Sequence, residues 1–228
     1  MKLGTIVELS HKMKPGKENF KLEARIFDVE EIMPQVKRRK DLWYILEEVT
    51  FSSHVGTHIE FPYHHLQDGL DAREFPIEKL VGEGVVLDFS HKKADELITL
   101  DELRAYDKKI KRGDILLVRT DFDRFFYTER WEEHPYVATE GIKWLVDREI
   151  SCLGTDAPGL EVPGTDYQPN HTTLFENSIP MIESMTNLSL LKKERFVIFI
   201  LPLPIEGLDS SPVRIIAIEQ TREIHDDR

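Results

Sequence analysis

The sequence predicts an α/β domain built on a mixed β-sheet, and three observations support this fold class. Several apolar segments rich in β-branched residues are bounded by turn-forming residues, which is typical of strands. Segments with apolar residues at helical spacing lie between some of them. The 228 residues contain no internal repeat, low-complexity tract or Gly/Ser linker, so we expect one domain over 1–228.

Seven segments are predicted to be strands because apolar and β-branched residues dominate them. They are Leu3–Leu9, Trp43–Phe51, Gly84–Phe89, Asp114–Thr120, Ser151–Thr155, Phe196–Leu201 and Val213–Ile218. The runs at 84–89, 115–118 and 196–201 are almost continuously apolar. Such runs indicate strands that are covered on both faces of the sheet.

Two helices are predicted from capping and spacing. Thr99 and Glu102 form a capping-box pattern, in which both side chains can satisfy free backbone N–H groups. Leu103 and two later apolar residues follow it at helical spacing, at positions 106 and 110. A second helix is expected at about 139–149, where Ile142, Leu145 and Val146 form a stripe that faces the core.

Composition excludes several classes of function. The chain has 30 basic and 42 acidic residues and a formal net charge of −12, so neither nucleic acid nor an anionic membrane is an expected partner. The one cysteine, Cys152, excludes an intramolecular disulfide framework and is predicted to be a buried, inert thiol. No apolar run approaches the ~20 residues that span a bilayer, and no signal-peptide pattern occurs at the start. We therefore expect a cytoplasmic protein.

Histidines concentrate in one short segment, which contains four of the nine in the chain. His54, His58, Glu60 and His64 all have even numbers, so an extended chain would present all four on one face. A helix would align only the first two, and the segment also contains a glycine and a proline that disfavour a helix. The spacing therefore predicts an extended segment with a polar, histidine-rich face.

Imidazoles and a carboxylate on one face form the mixed nitrogen and oxygen donor set that suits zinc, manganese or iron. The alternative is a set of surface histidines on a polar strand face. Phe61 and Tyr63 alternate with the polar residues and are predicted to pack into the core. His65 has the opposite parity from His64 and is predicted to lie behind the site or at the surface.

The segment from His54 to His64 resembles the signature His-x-Gly-Thr-His-x-Asp-x-Pro-x-His of the cyclase family, which includes bacterial kynurenine formamidase and isatin hydrolase. Four other segments extend the resemblance over roughly 4–218: Val7–His11, Gly154–Asp156, Pro202–Gly207 and Ser211–Arg214. The resemblance implies a swivelling β/β/α domain with a central barrel-like mixed sheet flanked by helices. It also implies a metal-dependent hydrolase that cleaves a C–N bond of a small amide, formamide or cyclic amide.

The same resemblance implies the residues of the site. One or two divalent ions, Zn²⁺ or alternatively Mn²⁺, would be held by five side chains: His54, His58, Glu60, His171 and Glu183. His64 would be the proton-transfer residue rather than a ligand. Asp156 either orients a ligand histidine as its outer hydrogen-bond partner or caps a turn.

One position departs from the signature, because Glu60 stands where aspartate is usual. Glutamate is longer by one methylene, on the order of 1.5 Å, so the spacing or number of the ions can change. Two alternatives therefore stay open: a lactone hydrolase or cyclase that uses the same site, and a metal-binding protein without activity. The resemblance further implies a homodimer or homotetramer, with Trp43 and Tyr44 either in the interface or in the core.

Overall fold

A computed structural model describes residues 4–219, so Leu3, the first residue of the first predicted strand, lies outside the described part. The described strands are β1 Thr5–Glu8, β2 Leu22–Asp28, β3 Ile45–Phe51, β4 His58–Glu60, β5 Val81–Asp88, β6 Leu97–Ile98, β7 Ile115–Arg119, β8 Tyr136–Val137, β9 Cys152–Thr155, β10 Met181–Glu183, β11 Phe196–Leu201, β12 Ser210–Pro212 and β13 Arg214–Glu219. The α-helices are α1 Val29–Ile32, α2 Leu100–Arg104, α3 Thr139–Asp147 and α4 Pro169–Glu176.

The fold is mixed α/β, with a large sheet that curls into a half-barrel. Nine strands form this sheet in the order β1-β13-β11-β5-β7-β9-β10-β4-β12. The pairs β5/β7, β7/β9 and β9/β10 are parallel, and the outer pairs are antiparallel. Strands β2 and β3 form a separate antiparallel ribbon, and β6 and β8 form a short parallel pair.

All seven predicted strands are present, with ends that differ by a few residues. Strands β2, β6, β8, β10 and β12 were not predicted from the sequence. Four of them have only two or three residues, and β2 carries charged residues along much of its length. Short strands gain their stability from neighbours that are distant in the sequence, so local patterns identify them poorly.

The central strand β7 shows why the sheet is buried on both faces. Ile115 and Leu117 pack into one core, where Ile59 also lies. Leu116 and Val118 point to the opposite face and pack into a second core that includes residues of α2, α3 and α4. These four β7 side chains have no exposed surface, which confirms the prediction from their continuous apolar run.

The helices follow their predicted signals in part. Thr99 caps α2, and the Glu102 carboxylate accepts a hydrogen bond from the Thr99 N–H at 2.9 Å, so the capping box is confirmed. Helix α2 ends at Arg104, so the apolar stripe beyond Leu103 does not continue on one helix. Helix α3 occupies most of the segment predicted at 139–149. No helix in the described range 4–219 is long and apolar enough to cross a membrane.

Two other predictions concern single side chains. Cys152 is a free, fully buried thiol on β9, as expected, and burial raises the pKa of this thiol. Trp43 and Tyr44 are exposed beside the β2/β3 ribbon, with 78% of Trp43 accessible, so a core position for either residue is wrong.

Candidate metal centre

Strand β4 supplies the centre of the site. His58 and Glu60 lie two residues apart on β4, so both side chains point to the same face, and Ile59 between them packs into the core. Strand β10 pairs antiparallel with β4 and places Glu183 directly opposite His58. Helix α4 is the third element of the site and carries the buried His171 close to Glu60 and Glu183.

His54 and His64 reach the site through bends, which corrects the prediction of one continuous extended segment. Gly56 has φ of +65°, a left-handed conformation that favours glycine, and the chain turns there before β4 begins. After β4, Pro62 opens a 3-10 helix, Pro62–His64. The alternation of side chains along a strand therefore accounts only for the positions of His58 and Glu60. The bends at Gly56 and Pro62 bring His54 and His64 to the site.

Three histidine Nε2 atoms converge on two carboxylates. His54 Nε2 lies 3.1 Å from Glu60 Oε1, and His58 Nε2 lies 3.6 Å from the same oxygen and 3.5 Å from Glu183 Oε2. His171 Nε2 lies 3.4 Å from both Glu60 Oε2 and Glu183 Oε1. The structure thus brings together all five predicted ligands, and Glu60 contacts each of the three imidazoles through one of its oxygens.

The opposite ring nitrogen of each of these histidines has its own partner. His58 Nδ1 lies 2.9 Å from the Gly56 carbonyl oxygen, which can only accept a hydrogen bond. His171 Nδ1 lies 2.8 Å from Glu161 Oε2, and His54 Nδ1 lies 3.1 Å from Ser53 Oγ. Outer partners of this kind fix the ring orientation and leave Nε2 to bind a metal.

The pKa of each titratable side chain in the cluster depends on its charged neighbours. Burial alone would lower the pKa of His58, but the nearby negative carboxylates of Glu183 and Glu60 raise it to about 10. For His171, burial is likewise outweighed, here by Glu161 and Glu183, and the pKa rises to about 10. Burial favours the neutral form of Glu60, yet His54 and His58 hold its pKa well below the ordinary range. The negative carboxylates therefore stabilise positive charge in the cluster.

A divalent cation would supply this positive charge and would also contact buried nitrogen and oxygen atoms that have no other partner. His54 Nε2, His58 Nε2 and Glu60 Oε2 are buried and have no hydrogen-bond partner among the described residues. Buried polar atoms are normally satisfied, so these three orphaned atoms indicate a missing partner. Two groups with metal-ligand spacing share Glu60: one with His58 and Glu183, the other with His54 and His64. Metal ions displace protons from such nitrogen and oxygen donors.

His64 has a different environment from the three ligand candidates. Its Nδ1 lies 2.8 Å from Asp209 Oδ2, and this hydrogen bond raises the pKa of His64 although burial opposes the rise. Asp209 also accepts a hydrogen bond from Ser53 Oγ at 2.9 Å. The hydrogen bond from His64, helped by that from Ser53, lowers the pKa of Asp209 to about 2.

Four other predicted residues have contacts or an exposure that can be compared with their expected positions. The Asp156 carboxylate accepts hydrogen bonds from Thr120 N–H and Oγ–H and from Asp121 N–H, so the turn-capping alternative describes it. Tyr63 is 39% exposed, so its predicted core position is wrong; Phe61 is fully buried, as predicted. Both ring nitrogens of His65 are hydrogen-bonded to residues near α4, which places it behind the cluster.

Three residues that hydrogen-bond to histidines of the cluster or to each other were not predicted from the sequence: Ser53, Glu161 and Asp209. Glu161 precedes His171 by ten residues without a recognisable spacing, and Asp209 lies 145 residues after His64. Ser53 is adjacent to His54, so a polar residue next to the first histidine was the one local signal available.

Two adjoining cavities of about 430 Å³ each open onto the cluster. His54 and Glu183 line both cavities, and His64 lines the second. The walls include aromatic side chains, namely Phe20, Phe126 and Trp131. This volume suits a small molecule of about the size of a substituted aromatic ring.

Comparisons with known proteins identify the family to which this chain is similar. The family model "Putative cyclase" matches residues 7–162, more than half of the chain. The kynurenine formamidase of Erythrobacter litoralis is 26% identical over 172 residues, which cover 75% of this chain and 76% of the relative.

Two solved structures share the fold. Isatin hydrolase A from Ralstonia solanacearum superposes with a TM-score of 0.79 at 21% identity, covering 95% of this chain and 92% of that chain. A predicted metal-dependent hydrolase from Bacillus stearothermophilus gives a TM-score of 0.75 at 23% identity, covering 95% and 98% of the two chains. At these identities the structures show the common fold.

Proposed function

This chain belongs to the cyclase family, and from that premise we propose that it is a metal-dependent hydrolase that cleaves a C–N bond of a small amide, formamide or cyclic amide. The observation that carries the proposal is the convergence of three imidazole Nε2 atoms on two carboxylates at 3.1–3.6 Å. The similarity to proteins named kynurenine formamidase and isatin hydrolase supports an amide or lactam carbonyl as the target.

The residues that would hold the metal are His54, His58, Glu60, His171 and Glu183. A bound divalent ion would supply an activated water and polarise the substrate carbonyl. Zn²⁺ is our first candidate and Mn²⁺ the second, because both accept mixed imidazole and carboxylate ligands. Glu60 contacts all three imidazoles, so the longer side chain at this position still reaches both metal-ligand groups.

His64 is the proposed proton-transfer residue because it lines the cavity beside Glu60 and His171. With its Nδ1 proton held by Asp209, neutral His64 takes a proton at Nε2 from the attacking water. It returns that proton to the substrate nitrogen as the C–N bond breaks and its electron pair goes to the nitrogen. Water and amide become carboxylic acid and amine, and His64 ends in its starting state.

A substrate panel tests the proposed activity. Purified protein loaded separately with Zn²⁺ and Mn²⁺ is incubated with N-formyl anilines, cyclic imides and lactones, and products are identified by mass. Release of an amine or ring-opened acid from the first two classes, abolished by a chelator and restored by metal, is the expected result. Turnover of lactones alone would favour the lactonase alternative. Stoichiometric metal with no turnover of any member would favour a metal-binding protein and contradict the proposed reaction.

We also propose that the protein is a homo-oligomer that associates through the β2/β3 ribbon. Two-stranded ribbons are marginally stable by themselves, and the extensive contacts of this ribbon are between its own strands and with α1. Ile26 and Val49 lie on one face of the ribbon and each exposes about half of its surface. Exposed apolar surface of this kind is typical of protein interfaces.

A further inference from the structure

We infer that Asp209 sets the tautomers of two histidines at once, the ligand His54 and the proton-transfer residue His64, through a hydrogen-bond chain that includes Ser53. The inference rests on the proposed function for the roles of the two histidines, but the hydrogen-bond chain itself can be tested without any substrate. Asp209 is therefore a positioning residue, since it acts through the two rings and not on a substrate.

The first branch of the chain runs from Asp209 to His64. Asp209 Oδ2 lies 2.8 Å from His64 Nδ1, and a carboxylate can only accept a hydrogen bond. The His64 proton must therefore be on Nδ1 when the ring is neutral. Nε2 is then unprotonated and remains available to a molecule in the cavity that His64 lines.

The second branch runs from Asp209 through Ser53 to His54. The Ser53 hydroxyl donates its one proton to Asp209 Oδ1 at 2.9 Å. Its oxygen can therefore only accept at the His54 side, where Nδ1 lies 3.1 Å away. This contact requires a proton on His54 Nδ1 and leaves Nε2 unprotonated. Nε2 is the atom that faces Glu60 at 3.1 Å, where a metal ligand must be unprotonated.

Hydrogen bonds to the backbone fix the positions of Asp209 and Ser53. The Phe61 N–H donates to the Asp209 carbonyl oxygen at 2.9 Å, which joins the loop before β12 to the end of β4. Ser210, the next residue, pairs with Glu60 across β12 and β4, and its hydroxyl donates to the Ser53 carbonyl oxygen at 3.1 Å. The carboxylate is thus fixed by the same strands that carry the ligands.

Two substitutions separate the branches. Asp209→Asn removes the acceptor-only group beside His64 and frees that ring to exchange tautomers, whereas Ser53→Ala breaks the branch to His54 and leaves the contact between Asp209 and His64. Asp68→Asn is the matched control, because Asp68 is an exposed carboxyl that follows His64 by four residues in the sequence. Metal content and circular dichroism establish that each variant is folded.

The direct measurement is long-range ¹H–¹⁵N correlation of histidine side chains in the Zn²⁺-loaded protein, with His64 and His54 assigned from the spectra of their glutamine variants. We expect Nδ1–H signals from both rings in the wild-type protein and in the Asp68 control. Asp209→Asn should shift His64 towards a mixture of tautomers, and Ser53→Ala should disturb His54 alone. An Nε2–H signal from wild-type His64, or an unchanged spectrum in Asp209→Asn, would overturn the inference.

Kinetics supply the second measurement on any substrate that the panel identifies. Asp209→Asn is expected to lower kcat roughly 10²-fold or more, with little change in KM, while Asp209→Glu, which keeps an acceptor-only group, recovers part of the loss. Wild-type kcat in Asp209→Asn would overturn the inference and leave the proposed hydrolase intact. If the wild-type protein turns over no substrate, the proposed function fails, and the spectra alone decide whether Asp209 sets the tautomers.

Discussion

Single residues in the cluster differ in what faces their reactive nitrogen. Nε2 of His54, His58 and His171 lies 3.1–3.6 Å from carboxylate oxygens, in the manner of atoms that share an ion. His64 can also be grouped with His54 and Glu60 by distance. However, His64 is hydrogen-bonded to Asp209, and a proton-transfer imidazole is typically oriented by a partner of this kind. Metal content distinguishes a ligand from a proton-transfer residue.

We predict opposite results for substitution of His58 and of His64. His58→Gln should lower bound metal at least tenfold, because His58 is 2% exposed and its Nε2 lies 3.5–3.6 Å from both Glu183 and Glu60. His64→Gln should retain the wild-type metal content and lose activity by roughly 10²–10⁴-fold. Elemental analysis of dialysed protein measures the first quantity and turnover of the identified substrate measures the second.

His65→Gln is the control for this pair, since His65 is adjacent in sequence but its ring nitrogens bond to Thr172 and Gln168. It should keep both metal and most activity. Loss of metal in His64→Gln would show that His64 is a ligand and would contradict the assigned role.

At the scale of elements, the packing of β5 against β11 depends on one glycine. Gly84 pairs with Phe196 across the two strands, and a Cβ at position 84 would meet the Phe196 ring, with Cζ at 2.8 Å and Cδ2 at 2.9 Å. Gly82 lies on the same face of β5, but there the nearest atom to a new Cβ is 3.8 Å away.

Gly84→Ala is therefore expected to destabilise the protein by ~1–3 kcal/mol through overpacking. Gly82→Ala should be neutral or stabilise by up to ~1 kcal/mol, because alanine restricts the unfolded chain. Urea denaturation of both variants measures the free energies of unfolding. Equal stabilities for the two variants would show that Phe196 moves aside at no cost.

The turn between β7 and the following 3-10 helix carries a pH-dependent contribution to stability. Asp156 is 1% exposed, and burial raises the pKa of its carboxyl from 3.8 to about 7 despite three hydrogen bonds from Thr120 and Asp121. The folded state therefore holds a proton that the unfolded state releases. This contribution to stability is complete below pH 3.8, declines as the pH rises towards about 7, and is constant above that value.

Asp156→Asn should remove this pH dependence. We expect the free energy of unfolding of the wild-type protein, relative to the variant, to fall between pH 4.5 and 7 by as much as ~1.4 kcal/mol per pH unit. Denaturation of both proteins at matched metal content and at pH 4.5, 6 and 7.5 measures the difference. A difference that is constant over this range, or that grows with pH, would contradict the assignment of the raised pKa to Asp156.

Local patterns predicted those elements whose stability is local. The capping box at Thr99 and the buried run of β7 are confirmed because hydrogen bonding and apolar periodicity over a few residues determine them. The parity argument holds within β4 and fails beyond it, since Gly56 and Pro62 redirect the chain. Glycine and proline disfavour a helix, and both also favour turns, so these two residues end the extended segment on either side of β4.

At the scale of the whole molecule, the site depends on contacts between distant parts of the chain. Strand β4 lies between β10 and β12, whose residues follow it by more than 100 positions, so register alone places Glu183 opposite His58. The wider family resemblance implied His171 and Glu183, but no spacing implied Glu161 or Asp209. Outer hydrogen-bond partners lie in loops, and tertiary structure, not local periodicity, brings them to the ligands.

The proposed association of subunits rests on an apolar surface that the fold leaves uncovered. The β2/β3 ribbon extends apolar side chains into solvent, including Ile26 and, beside it, Trp43. We predict that the wild-type protein sediments as a dimer or tetramer of the 26.6 kDa chain. The double substitution Ile26→Ser with Trp43→Ser should shift it towards the monomer, because serine removes the apolar surface that association would bury.

Leu190→Ser is the matched control, since Leu190 is 54% exposed but lies in a 3-10 helix and not in the ribbon. Analytical ultracentrifugation over a range of concentrations measures the mass. A wild-type protein that stays monomeric throughout, or a double variant that sediments like the wild type, would show that the ribbon is not the interface.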